Sequence, residues 1–272
     1  MNMPKSKIKT IQTEDLTIDY FQFGHGDKPL VLLPGLSVDS VMKYTDAVEE
    51  AYRVLEDEFT IYLFDRRKDL PDQYSVYDMA RDTADAIREL GFDQVYLFGV
   101  SQGGMIAMDI AVKDPDMVRK LVLSSTSPCV DEVQYRIIGE WAGLAEAGDA
   151  EKLYLSFGEY VYSEDVYDQS KDLIIQAAGA VTDEDLRRFS IIAKGARGFS
   201  VLDDLDKITC PVFVIGAIDD RVLGAGASFL AAEKLRGSTD VDLYMYDGYG
   251  HAAFDFAPDY KERVLDFLIR EM

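Results

Sequence analysis

Cysteine is scarce in this sequence, and it has no long apolar run. Two cysteines among 272 residues are too few for a disulfide framework, so we interpret Cys129 and Cys210 as small apolar side chains in a reducing cytoplasm. The opening segment, Met1 to Lys7, leads into a polar strand with no apolar stretch behind it, and no run approaches the length of a membrane span. These absences predict a cytoplasmic protein with no membrane partner.

Basic residues are also few relative to acidic ones. Lys and Arg number 28 against 50 Asp and Glu, which gives a formal net charge of −22, and a field of this sign repels phosphate backbones. The single compact basic cluster is Arg66, Arg67 and Lys68, and because Asp65 and Asp69 flank it we interpret it as a solvated loop. The sequence therefore predicts no nucleic-acid partner. Its 48% hydrophobic and 29% charged residues are typical of a globular domain.

A five-residue segment, Gly99-Val100-Ser101-Gln102-Gly103, follows the apolar run Val95 to Phe98 and precedes a helical run from Gly104 to Met108. This order predicts a strand, a sharp turn and a helix. A serine on such a turn needs almost no side chain two residues to either side, and glycine at both flanks meets that need. The backbone at Ser101 can then be strained, with Oγ exposed as a nucleophile. The alternative is a glycine-rich loop with an ordinary serine.

A serine hydroxyl is a poor nucleophile unless a neighbouring base, usually a histidine held by a carboxylate, takes its proton. The sequence offers two histidines. His25 lies in a polar, glycine-rich segment between two N-terminal strands, where an exposed hairpin tip is predicted. His251 follows the strand-like run Val241 to Tyr246, and the end of a late strand is where a rigid sheet would present a base. We therefore predict that His251 is the base; a solvated loop histidine is the alternative.

Two adjacent carboxylates follow the buried-strand run Pro211 to Gly216. Asp220 stands immediately before the segment Arg221 to Leu223, and Asp219 lies three residues after Gly216. The acid that orients the imidazole is expected in a loop between the serine and the histidine, so both qualify. The carboxylate that does not serve is expected to cap a helix or to lie in a solvated turn.

The oxyanion of a tetrahedral intermediate needs oriented donors, and backbone N–H groups provide them. One is expected from Gln102, at the N-terminus of the helix after the nucleophile, where the dipole favours negative charge. The second is expected from the loop Pro34 to Ser37, which follows the strand Leu30 to Leu33. Gly35 allows the turn there, and Leu36 would supply the N–H.

Taken in this order, these segments resemble the α/β-hydrolase superfamily of serine hydrolases over nearly the whole chain. The resemblance implies an α/β fold, with a mostly parallel central sheet and helices on both faces. It also implies an acyl-enzyme on Ser101, with no metal and no cofactor. The Asp-x-Val stretch that usually carries the family's acid favours Asp220, while Asp219, at the commoner distance of three from Gly216, remains the alternative.

The chain departs from the family in one place. The family usually has His-Gly after its third strand, and this chain has Pro34-Gly35. A serine nucleophile in place of aspartate argues against the haloalkane dehalogenase and epoxide hydrolase branches. No run of three glycines follows Gly35, which argues against the hormone-sensitive-lipase type.

Strand-like and helical runs alternate through the first half of the chain, which is typical of a mostly parallel sheet. We predict an antiparallel start from Lys7 to Gln12 and Leu16 to Phe23, a helical stretch from about Asp39 to Glu58, and an amphipathic helix from Tyr74 to Leu90 ended by Gly91.

The β pattern disappears between about Ser127 and Ser200. Aromatic residues punctuate helical segments there, and Thr182 to Asp185 has the spacing of a capping box. The resemblance implies a helical cap over the active site. The predicted domains are a hydrolase core, residues 1–127 and 201–272, and a cap, residues 128–200.

The leading functional hypothesis is a serine hydrolase that cleaves a small-molecule ester, thioester or amide, with Ser101, His251 and Asp220 as the triad. The same scaffold serves cofactor-free peroxidases, acyltransferases, C–C bond hydrolases and iminopeptidases. A receptor-like protein that binds a ligand with little turnover is an alternative of another class. No pattern in the sequence indicates the oligomeric state.

Overall fold

The computed structural model describes residues 8–271, so the opening segment up to Lys7, where the first strand was predicted to begin, and Met272 lie outside it. Eight strands form one sheet in the order β1-β2-β4-β3-β5-β6-β7-β8. The strands are β1 (Ile8–Gln12), β2 (Thr17–Gly24), β3 (Lys28–Leu33), β4 (Phe59–Phe64), β5 (Val95–Val100), β6 (Val118–Ser124), β7 (Val212–Ala217) and β8 (Val241–Tyr246).

The strand pairing confirms the predicted α/β class. β1 pairs with β2 and β2 with β4 in antiparallel fashion, and every neighbouring pair from β4 through β8 is parallel. Every residue of β5 and β7 is buried, as expected of strands covered on both faces. Because parallel strands end at one edge of the sheet, the loops after β3, β5, β7 and β8 meet there.

Helices cover both faces of this sheet. Alternate strand residues enter two separate cores; Leu97, for example, packs on one face and Phe98 on the other. The helices are α1 (Thr45–Ala51), α2 (Val76–Glu89), α3 (Gln102–Lys113), α4 (Glu132–Glu146), α5 (Ala150–Val161), α6 (Glu164–Ala178), α7 (Asp183–Lys194), α8 (Ala225–Leu235), α9 (Ala253–Phe256) and α10 (Tyr260–Ile269). Among residues 8–271, no helix is long and apolar enough to cross a membrane.

Four of these helices, α4 to α7, form an insertion between β6 and β7. Its two stems pair at the base: Val130 N–H donates to Phe199 O at 2.8 Å, and Val201 N–H donates to Pro128 O at 2.9 Å. Above the base, α4 packs on α7 and α5 on α6. The predicted capping box is present, with the Thr182 hydroxyl accepting from the Asp185 N–H at 3.1 Å.

The stretch predicted to be helical from about Asp39 to Glu58 is helical from Val41 to Leu55, in three pieces. The chain forms a 3₁₀ turn at Val41–Tyr44, then α1, then a second 3₁₀ turn at Arg53–Leu55. The last break falls where Tyr52 and Leu55 enter the core, the ring of Tyr52 packing 5.8 Å from that of Phe98. The 3₁₀ turn points the side chains of Tyr52 and Leu55 into the core before β4 begins.

The hairpin predicted around His25 is wrong. β4 lies between β2 and β3 in the sheet, so the segment that carries His25 joins two strands that are not neighbours. His25 is exposed, as predicted, and its Nε2 lies 2.9 Å from a carboxylate oxygen of Asp57. It is therefore far along the chain and the sheet from the loops that follow β7 and β8.

Candidate active site

Ser101 occupies the sharp turn between β5 and α3, and its backbone is strained. Its φ of 51° and ψ of −119° lie outside the regions that side-chain-bearing residues favour. Hydrogen bonds hold this conformation from both sides: Ser101 N–H donates to Ser124 O at 2.8 Å, and the Thr126 hydroxyl donates to Ser101 O at 2.7 Å. These two bonds hold the strained residue against the end of β6 and the loop that follows it.

Gly99 and Gly103, on either side of Ser101, leave no room for a side chain. A Cβ at Gly99 would lie 2.4 Å from Gly103 O, and one at Gly103 would lie 2.1 Å from Leu33 O. Both distances are far below van der Waals contact with backbone atoms that cannot move aside. This crowding accounts for the predicted need for glycine two residues to either side of Ser101.

His251 and Asp220 are in direct contact, and both side chains are buried. His251 Nδ1 donates to Asp220 Oδ2 at 2.8 Å. Asp220 Oδ1 accepts from Val222 N–H at 2.8 Å and from Leu223 N–H at 3.0 Å. Burial alone would raise the pKa of Asp220, but His251 and the two N–H donors outweigh burial and hold this pKa below its usual value. Asp220 is therefore an ionised, fixed acceptor for the imidazole.

Asp219 makes a different contact from its neighbour. Its Oδ2 accepts from Gly250 N–H at 2.9 Å, and its Oδ1 is buried without a hydrogen-bond partner among the described residues. Gly250 has a φ of 63°, a conformation that glycine adopts readily. Asp219 thus fixes the backbone of the loop that presents His251, whereas Asp220 touches the ring.

The loop after β3 lies against the nucleophile turn. A Cβ at Gly35 would lie 3.1 Å from the Cβ of Ser101, so the two backbones are closely packed. Leu36 and Gln102 line one pocket together with Ser101. Within residues 8–271, no acceptor is bonded to the N–H of Leu36 or of Gln102. Two backbone donors beside Ser101 are therefore free.

Arg66 does not lie in a solvated loop as predicted. It lies two residues after the end of β4 and is 6% exposed, and its burial lowers the pKa of the guanidinium. Its Nη2 donates to Pro34 O at 2.9 Å and to Gln102 Oε1 at 3.4 Å. The amide of Gln102 in turn donates to Ile192 O, on α7, at 2.9 Å. The basic cluster was misread because its flanking aspartates suggested exposure, while the end of β4 points Arg66 at the loop after β3.

A pocket of about 570 Å³ joins these groups. Ser101 and His251 both line it, and no hydrogen bond connects their side chains in the described chain. Catalytic hydrogen bonds are often long until substrate is bound, so this separation is compatible with a serine–histidine pair. The insertion supplies much of the apolar wall, including Ile138, Trp141, Tyr154, Phe157, Val161 and Ile174. Within residues 8–271, no cluster of His, Cys, Asp and Glu has the arrangement of a metal site.

Comparison with known proteins places this architecture among hydrolases. The family described as alpha/beta hydrolase fold matches residues 17–258. The chain is 25% identical over 234 residues to a protein of Caulobacter sp. (strain K31) named as a carbamate hydrolase, covering 80% of this chain and 84% of that protein. It is 28% identical over 272 residues to a 2-hydroxy-6-oxononadienedioate/2-hydroxy-6-oxononatrienedioate hydrolase of Pseudomonas sp., covering 91% and 90%.

A solved structure gives the same picture at the level of the fold. An alpha/beta hydrolase enzyme from a Medee basin deep-sea metagenome library superposes with a TM-score of 0.86 and 21% identity, covering 97% of this chain and 98% of that one. At this identity the likeness concerns the fold alone.

Proposed function

This chain belongs to the α/β-hydrolase fold family, and from that premise we propose that it is a serine hydrolase that cleaves a small ester, thioester or amide through an acyl-enzyme on Ser101. One observation carries the proposal: the strained Ser101 shares a pocket with His251, whose ring is held by the buried Asp220. That relatives covering most of the chain are named hydrolases supports it.

The contacts support a definite sequence of steps. Because Asp220 accepts from Nδ1, the other ring nitrogen of His251, Nε2, is the one free to take the Ser101 proton as Oγ attacks the carbonyl carbon. The N–H groups of Leu36 and Gln102 donate to the developing oxyanion. The imidazolium then protonates the leaving group, and a water activated by the same nitrogen releases the acid.

We propose that the insertion, residues 128–200 in the predicted division, acts as the cap. Its apolar side chains form the pocket wall that faces Ser101, and a wall of this kind excludes water from the acylation step. We also propose a cytoplasmic location, which the unpaired Cys129 and Cys210 support.

The charges that line the pocket disfavour a substrate with two carboxylates, such as the one in the name of the Pseudomonas relative. Of the described residues that line the pocket, none is Lys or Arg, and two are the aspartates Asp39 and Asp255. A substrate with two carboxylates would enter such a pocket unpaired, at a large electrostatic cost. We therefore place the substrate among neutral or cationic acyl compounds.

Covalent labelling tests the proposed function. An organophosphate should label the wild-type protein stoichiometrically, and aryl esters should be turned over with a burst of leaving group. Ser101→Ala should abolish labelling and lower turnover by roughly a million-fold, as loss of the nucleophile does in a serine protease. Ser170→Ala, at another serine that lines the pocket, is the matched control and should retain both activities. Labelling that persists in Ser101→Ala would refute the assignment.

A further inference from the structure

Asp255 is a carboxylate in the active-site pocket that the proposed mechanism does not use. It lies on α9, four residues after His251, and lines the same pocket as Ser101. Its side chain is exposed, yet enough protein surrounds the carboxyl for desolvation to raise its pKa. Within residues 8–271, its carboxylate makes no hydrogen bond and no ion pair.

No group around Asp255 in the described chain forms an ion pair with its carboxylate. The nearest base, Lys261, has its Nζ 3.5 Å from the backbone oxygen of Asp255 and 5.6 Å from the centre of the Tyr52 ring, outside ion-pair distance of the carboxylate. Tyr52, Tyr162 and Tyr260 feel the carboxylate's charge, which adds to burial in raising the pKa of each phenol, so these hydroxyls stay neutral.

Burial raises the pKa of Asp255 to about 6, with the charge of Lys261 opposing the rise. At this value the carboxyl is about nine-tenths ionised at pH 7. An unpaired charge facing an apolar wall is costly, and a cation beside it would remove much of that cost.

The other pocket aspartate differs because it already has partners. Asp39 has Lys43 Nζ at 3.1 Å, and the Tyr44 hydroxyl donates to it at 3.0 Å. Asp255 is therefore the pocket aspartate that forms no ion pair within the described chain. Aromatic rings stand beside it: Tyr162 and Phe256 line the pocket with their centroids 5.7 Å apart. Ring faces attract ammonium groups, so they add to the effect of the carboxylate.

We propose that Asp255 binds a cationic group of the substrate, so that this hydrolase prefers acyl compounds that carry an ammonium group away from the scissile bond. The inference rests on the proposed hydrolase function and specifies its substrate class. Asp255 acts here as a specificity residue, since the bond-breaking steps belong to Ser101 and His251.

Two isosteric esters test the preference. 4-Nitrophenyl 4-(trimethylammonio)butanoate and 4-nitrophenyl 5,5-dimethylhexanoate differ in one atom, nitrogen against carbon, and shorter and longer homologues vary the reach. For at least one spacer length we expect kcat/KM for the cationic ester to exceed that of the neutral ester by about tenfold or more, since one well-placed charge contact is worth that factor. Equal values at every length would overturn the proposal.

Substitution shows whether Asp255 is responsible. Asp255→Asn keeps the shape of the side chain and should reduce the ratio of kcat/KM for the cationic ester to that for the neutral ester by about tenfold. Asp266→Asn, which removes an exposed charge from α10, is the matched control and should leave the ratio unchanged. A ratio that Asp255→Asn does not lower would contradict the assignment.

A binding measurement separates this proposal from the proposed function. In Ser101→Ala, calorimetry with the ethyl esters of the same two acids reports affinity without turnover. Tighter binding of the cationic ester that Asp255→Asn abolishes supports the subsite even if Ser101 proves not to be the nucleophile. Equal binding of both esters overturns the subsite, even if Ser101 labelling stands.

Discussion

At the scale of single residues, two neighbouring aspartates have different tasks. Asp220 accepts from the imidazole of His251, and Asp219 accepts from the N–H of Gly250 in the loop that carries this histidine. Their positions in the sequence give opposite indications, since the resemblance to the Asp-x-Val stretch favours Asp220 and the distance of three from Gly216 favours Asp219. The separation arises from the direction of each side chain, which depends on backbone angles that the sequence does not reveal.

The two substitutions to asparagine should therefore differ greatly in effect. Asp220→Asn should lower turnover by about ten-thousand-fold, because the amide no longer holds the imidazole in the tautomer that accepts the serine proton. Asp219→Asn keeps an oxygen that can accept from Gly250, so its turnover should fall by no more than about tenfold. The measurement is kcat on one aryl ester, and the reverse ranking would make Asp219 the acid.

At the scale of elements, strands were predictable and the connections between them were less so. The apolar runs that became β3, β5 and β7 lie inside the sheet and need mainly burial on both faces, which composition reveals. The stretch from about Asp39 to Glu58 was predicted to be helical without its breaks, because its local pattern does not report that Tyr52 and Leu55 enter the core. Long-range packing decides such breaks, and no local pattern contains it.

The same limit applies to the site. The turn at Ser101 was predicted from a short motif, and His251 from its place after a late strand, so both predictions needed only nearby sequence. Arg66 has no such motif. Its role comes from three elements that converge on it: the loop after β3, the start of α3 and, through Gln102, helix α7.

Arg66→Met should disturb the oxyanion donors and leave substrate binding nearly intact. Without the bond to Pro34 O, the Pro34–Gly35 peptide, one residue before the Leu36 N–H, can rotate and shift that N–H. We therefore expect kcat to fall by about tenfold to a hundredfold with little change in KM, less than the loss of one donor outright. Arg66→Lys should restore part of kcat, and Lys68→Met, beside it in the sequence, serves as the control. A change in KM alone, or no change in kcat, would remove Arg66 from this positioning role.

At the scale of the whole molecule, the free energy of unfolding changes with pH wherever a group has a different pKa in the folded and the unfolded state. The pKa of Asp255 is about 6 in the folded protein against about 3.9 for an unfolded aspartate, so the folded state binds more protons between these values. Stability from this group is thus fully present below the unfolded pKa and is lost as pH rises through the folded pKa.

Asp255→Asn should therefore stabilise the protein, and more so at about pH 8 than at about pH 5. Thermal unfolding of the variant and the wild type in matched buffers measures the difference in Tm at each pH. Asp266→Asn should show no comparable dependence on pH. An equal gain in Tm at both pH values would mean that Asp255 ionises as easily in the folded protein as in the unfolded chain.

The stems beneath α4 and α7 have a consequence for how this molecule can change over evolutionary time. They are joined by backbone hydrogen bonds, which tolerate most side chains. The stems hold the two ends of the insertion together where it leaves the sheet. The entropic cost of closing a loop grows slowly with its length, so a longer insertion would cost little more. Helices could be lengthened, lost or exchanged above the stems without moving Ser101, so the wall of the pocket can change in descendants of this chain while the turn that carries Ser101 stays the same.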